Sequence, residues 1–512
     1  IHVELKTKTK MFCGCLNNPD ELQPNKNICP ICLGHPGTLP TINKEAVEKV
    51  LKLGRVLNGK LAENGSKFDR KNYFYPDLPK GYQISQYDQP LVSGGSLNGV
   101  KLRRIHLEED TARLVHSDQL SDYPKDKPRA SLIDFNRSGL PLMELVTEPD
   151  IENGKKAVSF AKEFQLILRY LDISDADMEK GHMRIEVNVS LSDKELGIKV
   201  EVKNINSFKA VESVIDYEIK RQEEILDKGE KVKQETRGWD DKKKTTVSQR
   251  IKEEAHDYRY FPEPDLPILL LKPNPEEKQA SYGVNSSEAE TAQNGASRLF
   301  ERSEKGGGAA VFNLEQLKME IPELPQQKRE RFAKEYRLSK DQIEILISDP
   351  EFAEYFEESA SELKTFGRNS DIDIDNQLLY NYLTSDLRGL IKGKNLDIKD
   401  LKIIPEHFAH LVFLISSGKL TSRMAKEILG EMLKGADPET IIKEKSFHEA
   451  VGDKLLDETI ELILKENQKA VENYKKGQEN SLQFLIGQAM KKLKGRADPE
   501  VLKSLFKNKL KL

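Results

Sequence analysis

The residues best suited to chemistry near the start of the chain are four cysteines: Cys13, Cys15, Cys29 and Cys32. They form two close pairs separated by a short loop, a spacing that places four thiolates around one tetrahedral metal ion. They are the only cysteines in the chain, so no thiol remains for a catalytic nucleophile. A disulfide pair is the weaker alternative, because disulfide scaffolds are short and this chain has 512 residues. We therefore predict a structural zinc site, with the activity elsewhere.

A second group of candidates consists of carboxylates and one imidazole. Residues 104–110 (RIHLEED) hold several carboxylates close together, and Glu186 and Glu201 lie in two segments with strand-like alternation. His2 lies in a short strand-like segment at the start of the chain. Oxygen-rich ligand sets with one imidazole suit Mg²⁺, which leaves coordination positions open for phosphate. The alternative is that these glutamates are solvated on strand surfaces, and only their convergence in the fold separates the two interpretations.

The loop at residues 68–86 is rich in aromatic residues, prolines and hydrogen-bonding groups. Stiff loops with tyrosine tips often line a site, but the same composition also fits a plug at the edge of a sheet. The nearest match to a phosphate loop, GRVLNGKL at 54–61, has leucine where that motif needs Ser or Thr, and it ends a helix rather than following a strand. We reject it.

The elements that must position these residues fall into an α+β pattern. Alternation predicts strands at 184–190 and 199–203, pairing as a hairpin around residues 192–193, and helical periodicity predicts helices at 44–57, 155–171 and 211–226. Regular alternation of strands and helices is absent, so an antiparallel sheet is expected. From about residue 326 to the end the pattern is almost entirely helical, with a helix at 481–494 whose lysines lie mostly opposite its apolar face.

We divide the chain into four parts by composition and periodicity. Residues 1–273 form the sheet domain, 274–312 a polar, glycine-punctuated insertion or linker, 313–400 a helical domain and 401–512 a helical tail. The charges nearly cancel, with 81 Lys and Arg against 85 Asp and Glu, but the segment from residue 490 is locally basic. That segment fits a phosphate-contacting face or an ordinary solvated helix. The mean hydropathy of −0.62 and the absence of a long apolar run predict a cytoplasmic protein that contacts no membrane.

Several long motifs resemble one family, the B subunits of the tRNA-dependent amidotransferases. They are FCGC (12–15), CLGHPG (32–37), KFDRKNYFYPD (67–77), LPLME (140–144), KNINSF (203–208), QETR (234–237) and YRYFPEPD (258–265). In the tail, FLIGQAM (484–490) and ADP (497–499) are similar to the YqeY proteins. The resemblance covers nearly the whole chain apart from the 274–308 stretch.

The resemblance implies a fold and an activity. The fold is an antiparallel-sheet cradle domain with a zinc knuckle, then an all-α domain and a YqeY-like tail. The activity is that of a glutamine-hydrolysing amidotransferase, a ligase that converts Glu-tRNA(Gln), Asp-tRNA(Asn) or both to the amide. ATP phosphorylates the side-chain carboxylate with Mg²⁺, and ammonia displaces phosphate. Ammonia comes from a glutaminase A subunit, and a small C subunit completes the heterotrimer.

The resemblance also assigns residues. His2, Glu109, Glu186 and Glu201 match the family's Mg²⁺ set, with Glu108 behind them, and Lys71 and Lys80 match lysines beside the ammonia route. The expected binding site for ATP and Mg²⁺ consists of His2, Glu108, Glu109, Glu186, Glu201 and Lys80. The expected catalytic residues are Glu109, Glu201 and Lys71. Lys491, Lys492, Lys494 and Arg496 are expected to contact the tRNA backbone.

The family pattern departs from this chain at two positions, since it has a further glutamate just before Ile1 and usually aspartate at Glu186. Two other functions remain as alternatives: a tRNA-binding or assembly subunit without catalysis, and a metal-dependent hydrolase that acts alone.

Overall fold

The computed structural model describes residues 1–117, 124, 126–193, 196–251, 258–271, 312–372, 374–444, 453–475, 478–493, 497 and 499–510. The chain divides into two compact units, Ile1–Leu324 and Pro325–Leu512. Of the expected insertion at 274–312, only Phe312 is described, and it is buried in the core of the first unit.

The first unit is built on short strands. In chain order they are β1 (His2–Glu4), β2 (Lys60–Leu61), β3 (Asp69–Asn72), β4 (Tyr82–Ser85), β5 (Val92–Ser93), β6 (Ser96–Leu97), β7 (Val100–Glu109), β8 (Arg113–His116), β9 (Ser131–Asp134), β10 (Pro141–Thr147), β11 (Met183–Val189), β12 (Val200–Ile205), β13 (Glu235–Asp240), β14 (Thr245–Ile251) and β15 (Phe261–Pro262). Its helices are α1 (Lys44–Val56), α2 (Gly154–Tyr170), α3 (Phe208–Asp227) and α4 (Leu314–Met319).

Ten of these strands form one sheet in the order β14-β13-β12-β11-β1-β10-β7-β5-β2, with β6 paired to β7. Every strand pair in this sheet is antiparallel except β12 and β13, which run parallel. The expectation of an antiparallel sheet is therefore confirmed for all but one pair. Two smaller sheets, β15-β3-β4 and β8-β9, carry the aromatic loop and a hairpin.

The two faces of the large sheet have different chemistry. Val3, Leu107, Met143 and Met183 lie on one face and belong to a single buried core with α1, α2 and α3. Asn43, Asn153 and Ser207 cap the starts of these helices by accepting backbone N–H groups, which fixes where each helix begins. Since side chains alternate along a strand, the intervening positions point away from this core, and apart from Leu142 those near the middle of the sheet are polar. The site described below lies on that polar face.

The second unit is helical over its described residues. Its helices are α5 (Pro325–Tyr336), α6 (Lys340–Ile347), α7 (Pro350–Ser370), α8 (Asn376–Asn381), α9 (Arg388–Lys394), α10 (Pro405–Ser416), α11 (Ser422–Met432), α12 (Pro438–Glu444), α13 (Asp453–Glu466), α14 (Gln468–Lys475), α15 (Asn480–Lys492) and α16 (Pro499–Leu510). A π-helical turn, Tyr382–Leu387, joins α8 to α9, and a 3₁₀ turn, Ile398–Asp400, precedes α10.

Two apolar clusters lie within this unit. Helices α7 and α10 pack together, and the Tyr355 hydroxyl on α7 donates to the Ile403 carbonyl just before α10. Helices α13, α15 and α16 form a separate core that contains the apolar face predicted for residues 481–494. The predicted divisions at residues 273, 312 and 400 stay predictions. No helix in the described part of the chain is long and apolar enough to cross a membrane.

Candidate functional site

The strand register brings two histidines and two glutamates together on the polar face of the large sheet. His2 on β1 is opposite Glu144 on β10, and Glu144 is in turn opposite His106 on β7. Residues in register on antiparallel neighbours share a face, so these three side chains are adjacent. Glu108 lies on the same face of β7 as His106, two residues further on. We call these four residues the His–Glu cluster.

The distances within the His–Glu cluster are short. Nε2 of His106 lies 3.2 Å from Glu144 and 3.8 Å from Glu108, and Nε2 of His2 lies 3.6 Å from Glu108. Donor atoms of His106, Glu108 and Glu144 all lie within 4.8 Å of one another. Glu108 also accepts a hydrogen bond from the Ser85 hydroxyl at 3.1 Å, which orients its carboxylate.

Burial and mutual attraction set the charges of this cluster. Burial opposes ionisation of Glu108 and Glu144, but hydrogen bonds from His106 outweigh it, helped by the charges of His2 and Lys71 at Glu108 and of His106 and His2 at Glu144. Both pKa values are therefore lowered. For His106, burial is again outweighed by the two carboxylates, and its pKa is raised. Burial lowers the pKa of His2. Two carboxylates beside imidazole nitrogens fit a divalent cation, whose charge would replace that of a protonated His106.

Glu109 lies on the other side of strand β7. Its carboxylate pairs with the Nζ of Lys80 and accepts the backbone N–H of Ile84 at 2.9 Å. Both charged side chains are nearly buried, with exposures of 12% for Lys80 and 4% for Glu109. The structure therefore separates Glu109 from the His–Glu cluster, although the sequence expectation grouped it with His2.

Glu186 and Glu201 lie on the polar face on the next two strands. Glu186 on β11 pairs with Lys203 at 3.0 Å and is close enough to His2 for its charge to oppose the lowering of the His2 pKa. Glu201 on β12 accepts a hydrogen bond from the Thr236 hydroxyl at 2.9 Å. The expected antiparallel pairing of these two strands is confirmed, with Asn188 opposite Glu201. Both glutamates line the same face as the His–Glu cluster without joining it.

The four cysteine sulfurs converge near Lys80 and Glu109, with which Cys13 and Cys32 line a common cavity. They lie within 4.8 Å of one another, and no disulfide joins them. Cys29 and Cys32 have sulfurs 3.9 Å apart, which matches the roughly 3.8 Å edge of a tetrahedron with Zn–S bonds of about 2.3 Å. The buried Lys10 donates a hydrogen bond to the Cys32 sulfur at 3.7 Å. These cysteines fit a structural zinc ion.

Comparison with known proteins identifies the family of the chain. The family model of the GatB/GatE catalytic domain matches residues 1–276, and the model of the GatB domain matches residues 364–510. The chain is 40% identical to the B subunit of the aspartyl/glutamyl-tRNA(Asn/Gln) amidotransferase of Thermotoga petrophila, over 100% of this chain and 97% of the relative. The chain belongs to the GatB family. The B subunit of the same enzyme from Thermosipho melanesiensis is 43% identical over 100% and 98% of the two chains.

An aromatic enclosure lies beside the His–Glu cluster of this GatB-family chain. The Nζ of Lys71 on β3 sits 4.9 Å from the ring centre of Tyr258 and 5.5 Å from that of Tyr73. Lys71 is also close enough to help lower the pKa of Glu108. Tyr87 and Tyr260 stack with ring centres 4.2 Å apart. Lys71 and Ser85 of the loop at 68–86 therefore lie against the polar face, and the interpretation that this loop lines a functional site stays a prediction.

The tail lysines of the GatB-family chain are described only in part. Lys491 and Lys492 are exposed near the end of α15, and Lys492 pairs with Glu466 at 3.0 Å. Lys494 and Arg496 lie outside the described residues.

Sequence reasoning gave no role to His106 or Glu144. His106 carried a usable signal, because residues two apart on a strand share a face and Glu108 was already a candidate. Glu144 carried no such signal, since its place beside His2 and His106 depends on the pairing of β10 with β1 and β7.

Proposed function

We propose that this chain carries the ATP-dependent steps of tRNA transamidation. The side-chain carboxylate of Glu-tRNA(Gln) or Asp-tRNA(Asn) attacks the γ-phosphorus of ATP, giving an acyl phosphate and ADP. Ammonia then attacks the acyl carbon, and phosphate leaves with the former carboxylate oxygen. The His–Glu cluster carries this proposal, because phosphoryl transfer needs a divalent cation held by carboxylates with positions open for phosphate.

In this mechanism, Glu108 and Glu144 would hold Mg²⁺, with His2 and His106 beside them. Mg²⁺ held there would supply the positive charge that offsets the charge of the phosphates. The pairing of Glu186 with Lys203 and of Glu201 with Thr236 keeps those carboxylates oriented on the same face, where they would help to hold the ion. Lys71, held between two tyrosine rings, points a cation toward the same region and suits a phosphate or carboxylate oxygen.

The supply of ammonia requires partners. All four cysteines of the chain are committed to the zinc-binding cluster, so a cysteine glutaminase in this chain is not part of the proposal. We assign glutamine hydrolysis to an A subunit, with a small C subunit, in a cytoplasmic heterotrimer. We place Lys80, which pairs with Glu109, on the route by which ammonia would approach. A cationic lysine there would repel ammonium and let neutral ammonia pass.

We assign tRNA binding to the helical residues 313–400 and the tail at 401–512, with 1–273 as the catalytic cradle. Lys491, Lys492, Lys494 and Arg496 would contact the phosphate backbone, which reads shape more than sequence. The relatives named above are B subunits of aspartyl/glutamyl-tRNA(Asn/Gln) amidotransferases, which supports a role in tRNA binding for the chain as a whole.

The proposal is tested with the three-subunit complex, Glu-tRNA(Gln), ATP, Mg²⁺ and glutamine. ADP and Gln-tRNA(Gln) are followed for wild type, Glu108→Gln and Glu201→Gln, with tRNA affinity measured in parallel. Loss of ADP formation with unchanged tRNA affinity supports kinase chemistry on this face. Full turnover in Glu108→Gln would overturn the proposal in favour of a tRNA-binding or assembly subunit. ADP formation by the isolated chain without tRNA would instead favour a hydrolase.

A further inference from the structure

The loop that carries two of the zinc-binding cysteines also packs against Lys80. This segment, residues 29–37, is called the zinc loop. Its turn is closed by backbone hydrogen bonds from Leu33 to Cys29 and from Gly34 to Ile31. Gly34 has a φ of +69°, and a Cβ placed on it would lie 2.5 Å from Cγ of Lys80 and 3.1 Å from its backbone nitrogen. The loop therefore contacts the backbone of Lys80, and rotation of the Lys80 side chain would not fully remove a clash with a Cβ at Gly34.

A second contact joins the zinc loop to Glu109. Gly139 lies between the β8–β9 hairpin and the start of β10, and it has a φ of +82°. The space where its Cβ would lie is 3.4 Å from Cβ of Cys32 and 4.0 Å from a carboxylate oxygen of Glu109. The Ser138 hydroxyl donates to the Cys32 carbonyl at 3.0 Å, which fixes the loop to the same turn. A cavity of about 30 Å³ between them is lined by Cys13, Cys32, Lys80 and Glu109, among others.

We propose that zinc binding positions Lys80, and through it Glu109, so that the zinc loop is a positioning element for this ion pair and not only a support for the fold. Cys29 and Cys32 both lie in the turn that ends at Gly34, so an ion bound to them fixes the surface against which Lys80 packs. Without the ion, the four thiols lose the metal bonds that join the zinc loop to Cys13 and Cys15, and the hydrogen bonds that remain hold the surface against which Lys80 packs less firmly. The consequence for ammonia supply rests on the proposed function, whereas the contact itself does not.

The chain offers a matched pair of variants for the test. Gly34 and Gly37 both lie in the zinc loop with positive φ, +69° and +81°, so alanine strains the backbone similarly at each. A Cβ at Gly37 meets nothing within 4 Å, whereas a Cβ at Gly34 meets Lys80. Gly34→Ala therefore differs from Gly37→Ala mainly in its push on Lys80.

The readout is the chemical accessibility of Lys80 in the full-length chain. Trace acetylation by acetic anhydride is followed by peptide mass spectrometry, with Lys203, which pairs with Glu186 on the polar face, as the internal reference. Zinc content is measured on each sample, and circular dichroism confirms folding. We expect Gly34→Ala to raise the relative acetylation of Lys80 at least threefold at wild-type zinc content, and Gly37→Ala to leave it unchanged.

Removal of zinc from the wild-type chain is the second experiment. If Gly34→Ala does not fold, this experiment tests the proposal by itself. A zinc-selective chelator should raise Lys80 acetylation at least threefold relative to Lys203, and added zinc should reverse it. Equal acetylation with and without zinc would overturn the proposal. The assay contains neither ATP nor tRNA, so failure of Glu108→Gln to reduce ADP formation would overturn the proposed function while leaving this result untouched.

Discussion

Glu108 and Glu109 are neighbours on strand β7, and their side chains serve two separate sites. Glu108 lies 3.6 Å from Nε2 of His2 on the polar face, whereas Glu109 pairs with Lys80 beside the zinc loop. Alternation along the strand sends adjacent side chains to opposite faces. One glutamate therefore belongs to the His–Glu cluster while the next belongs to a nearly buried ion pair.

Glu108→Gln should lower the rate of ADP formation by the three-subunit complex about 100-fold, because it removes a cation ligand while keeping the side-chain shape. The rate is measured with saturating Glu-tRNA(Gln) and a range of Mg²⁺ concentrations. The matched control is Glu148→Gln, which alters a glutamate just beyond β10 that pairs with Arg103 at 2.8 Å. That control should keep its rate within about twofold. Similar rates in the two variants would remove Glu108 from the site.

Glu109→Gln should act on stability, because it leaves the nearly buried Lys80 with a neutral partner. We expect the free energy of unfolding to fall by about 1–3 kcal/mol, measured by urea denaturation. Lys80→Met alone should also destabilise, since Glu109 is then buried without its cation. The double variant should be more stable than the sum of the two single losses predicts. Strictly additive losses would mean that the pair does not interact energetically.

The helices and the strand pair β11–β12 could be predicted from the sequence because their signals are local. The helix predicted at 44–57 is α1 (Lys44–Val56), and the one at 155–171 is α2 (Gly154–Tyr170). Apolar periodicity of 3.6 and a capping side chain both lie within the segment itself, so a single sequence carries them. The zinc cysteines were found for the same reason, since their spacing is local.

The composition of the His–Glu cluster could not be predicted in full, because it depends on pairing between distant strands. His2 and Glu144 are 142 residues apart in the sequence and become neighbours through the register of β1 with β10. No local sequence pattern predicts that register. The family resemblance supplied His2 but grouped it with Glu109 rather than with His106 and Glu144. The involvement of Glu144 follows from the strand pairing alone, whereas His106 could have been inferred from its place two residues before Glu108.

Lys10 lies fully buried behind the zinc loop and should strengthen metal binding. Its Nζ donates to the Cys32 sulfur at 3.7 Å and to the Phe135 carbonyl at 3.2 Å. Lys10→Met keeps the apolar stem and removes the donor, so zinc affinity should fall about 10–100-fold. Competition with a chromophoric chelator measures this. The control is Lys8→Met, an exposed lysine two residues earlier, which should leave zinc affinity unchanged. Unaltered affinity in Lys10→Met would reduce Lys10 to a packing role.

Glu4 should make the stability of the chain depend on pH. It lies two residues after His2, and burial, followed by the charge of Asp110, raises its pKa to about 8. Burial opposes ionisation of Asp110 as well, but Arg184 at 2.7 Å and Arg137 at 3.5 Å outweigh it and lower the Asp110 pKa. The folded chain therefore keeps a proton on Glu4 at neutral pH, where that proton is shared with Asp110, while the unfolded chain releases it near the ordinary value of 4.5.

The sign of the effect follows from proton counting. Between pH 4.5 and 8 the folded state binds one more proton at Glu4 than the unfolded state does, so the free energy of unfolding falls by about 1.4 kcal/mol for each unit of rising pH. Glu4→Gln cannot ionise and keeps an N–H donor for Asp110. Its stability relative to wild type should therefore be about 2–3 kcal/mol more favourable at pH 8 than at pH 6, without added magnesium. Glu152→Gln, at a side chain with 81% exposure, is the control and should show no such difference. A pH-independent gap between Glu4→Gln and wild type would mean that Glu4 is already ionised in the folded chain, with Arg184 and Arg137 neutralising both carboxylates.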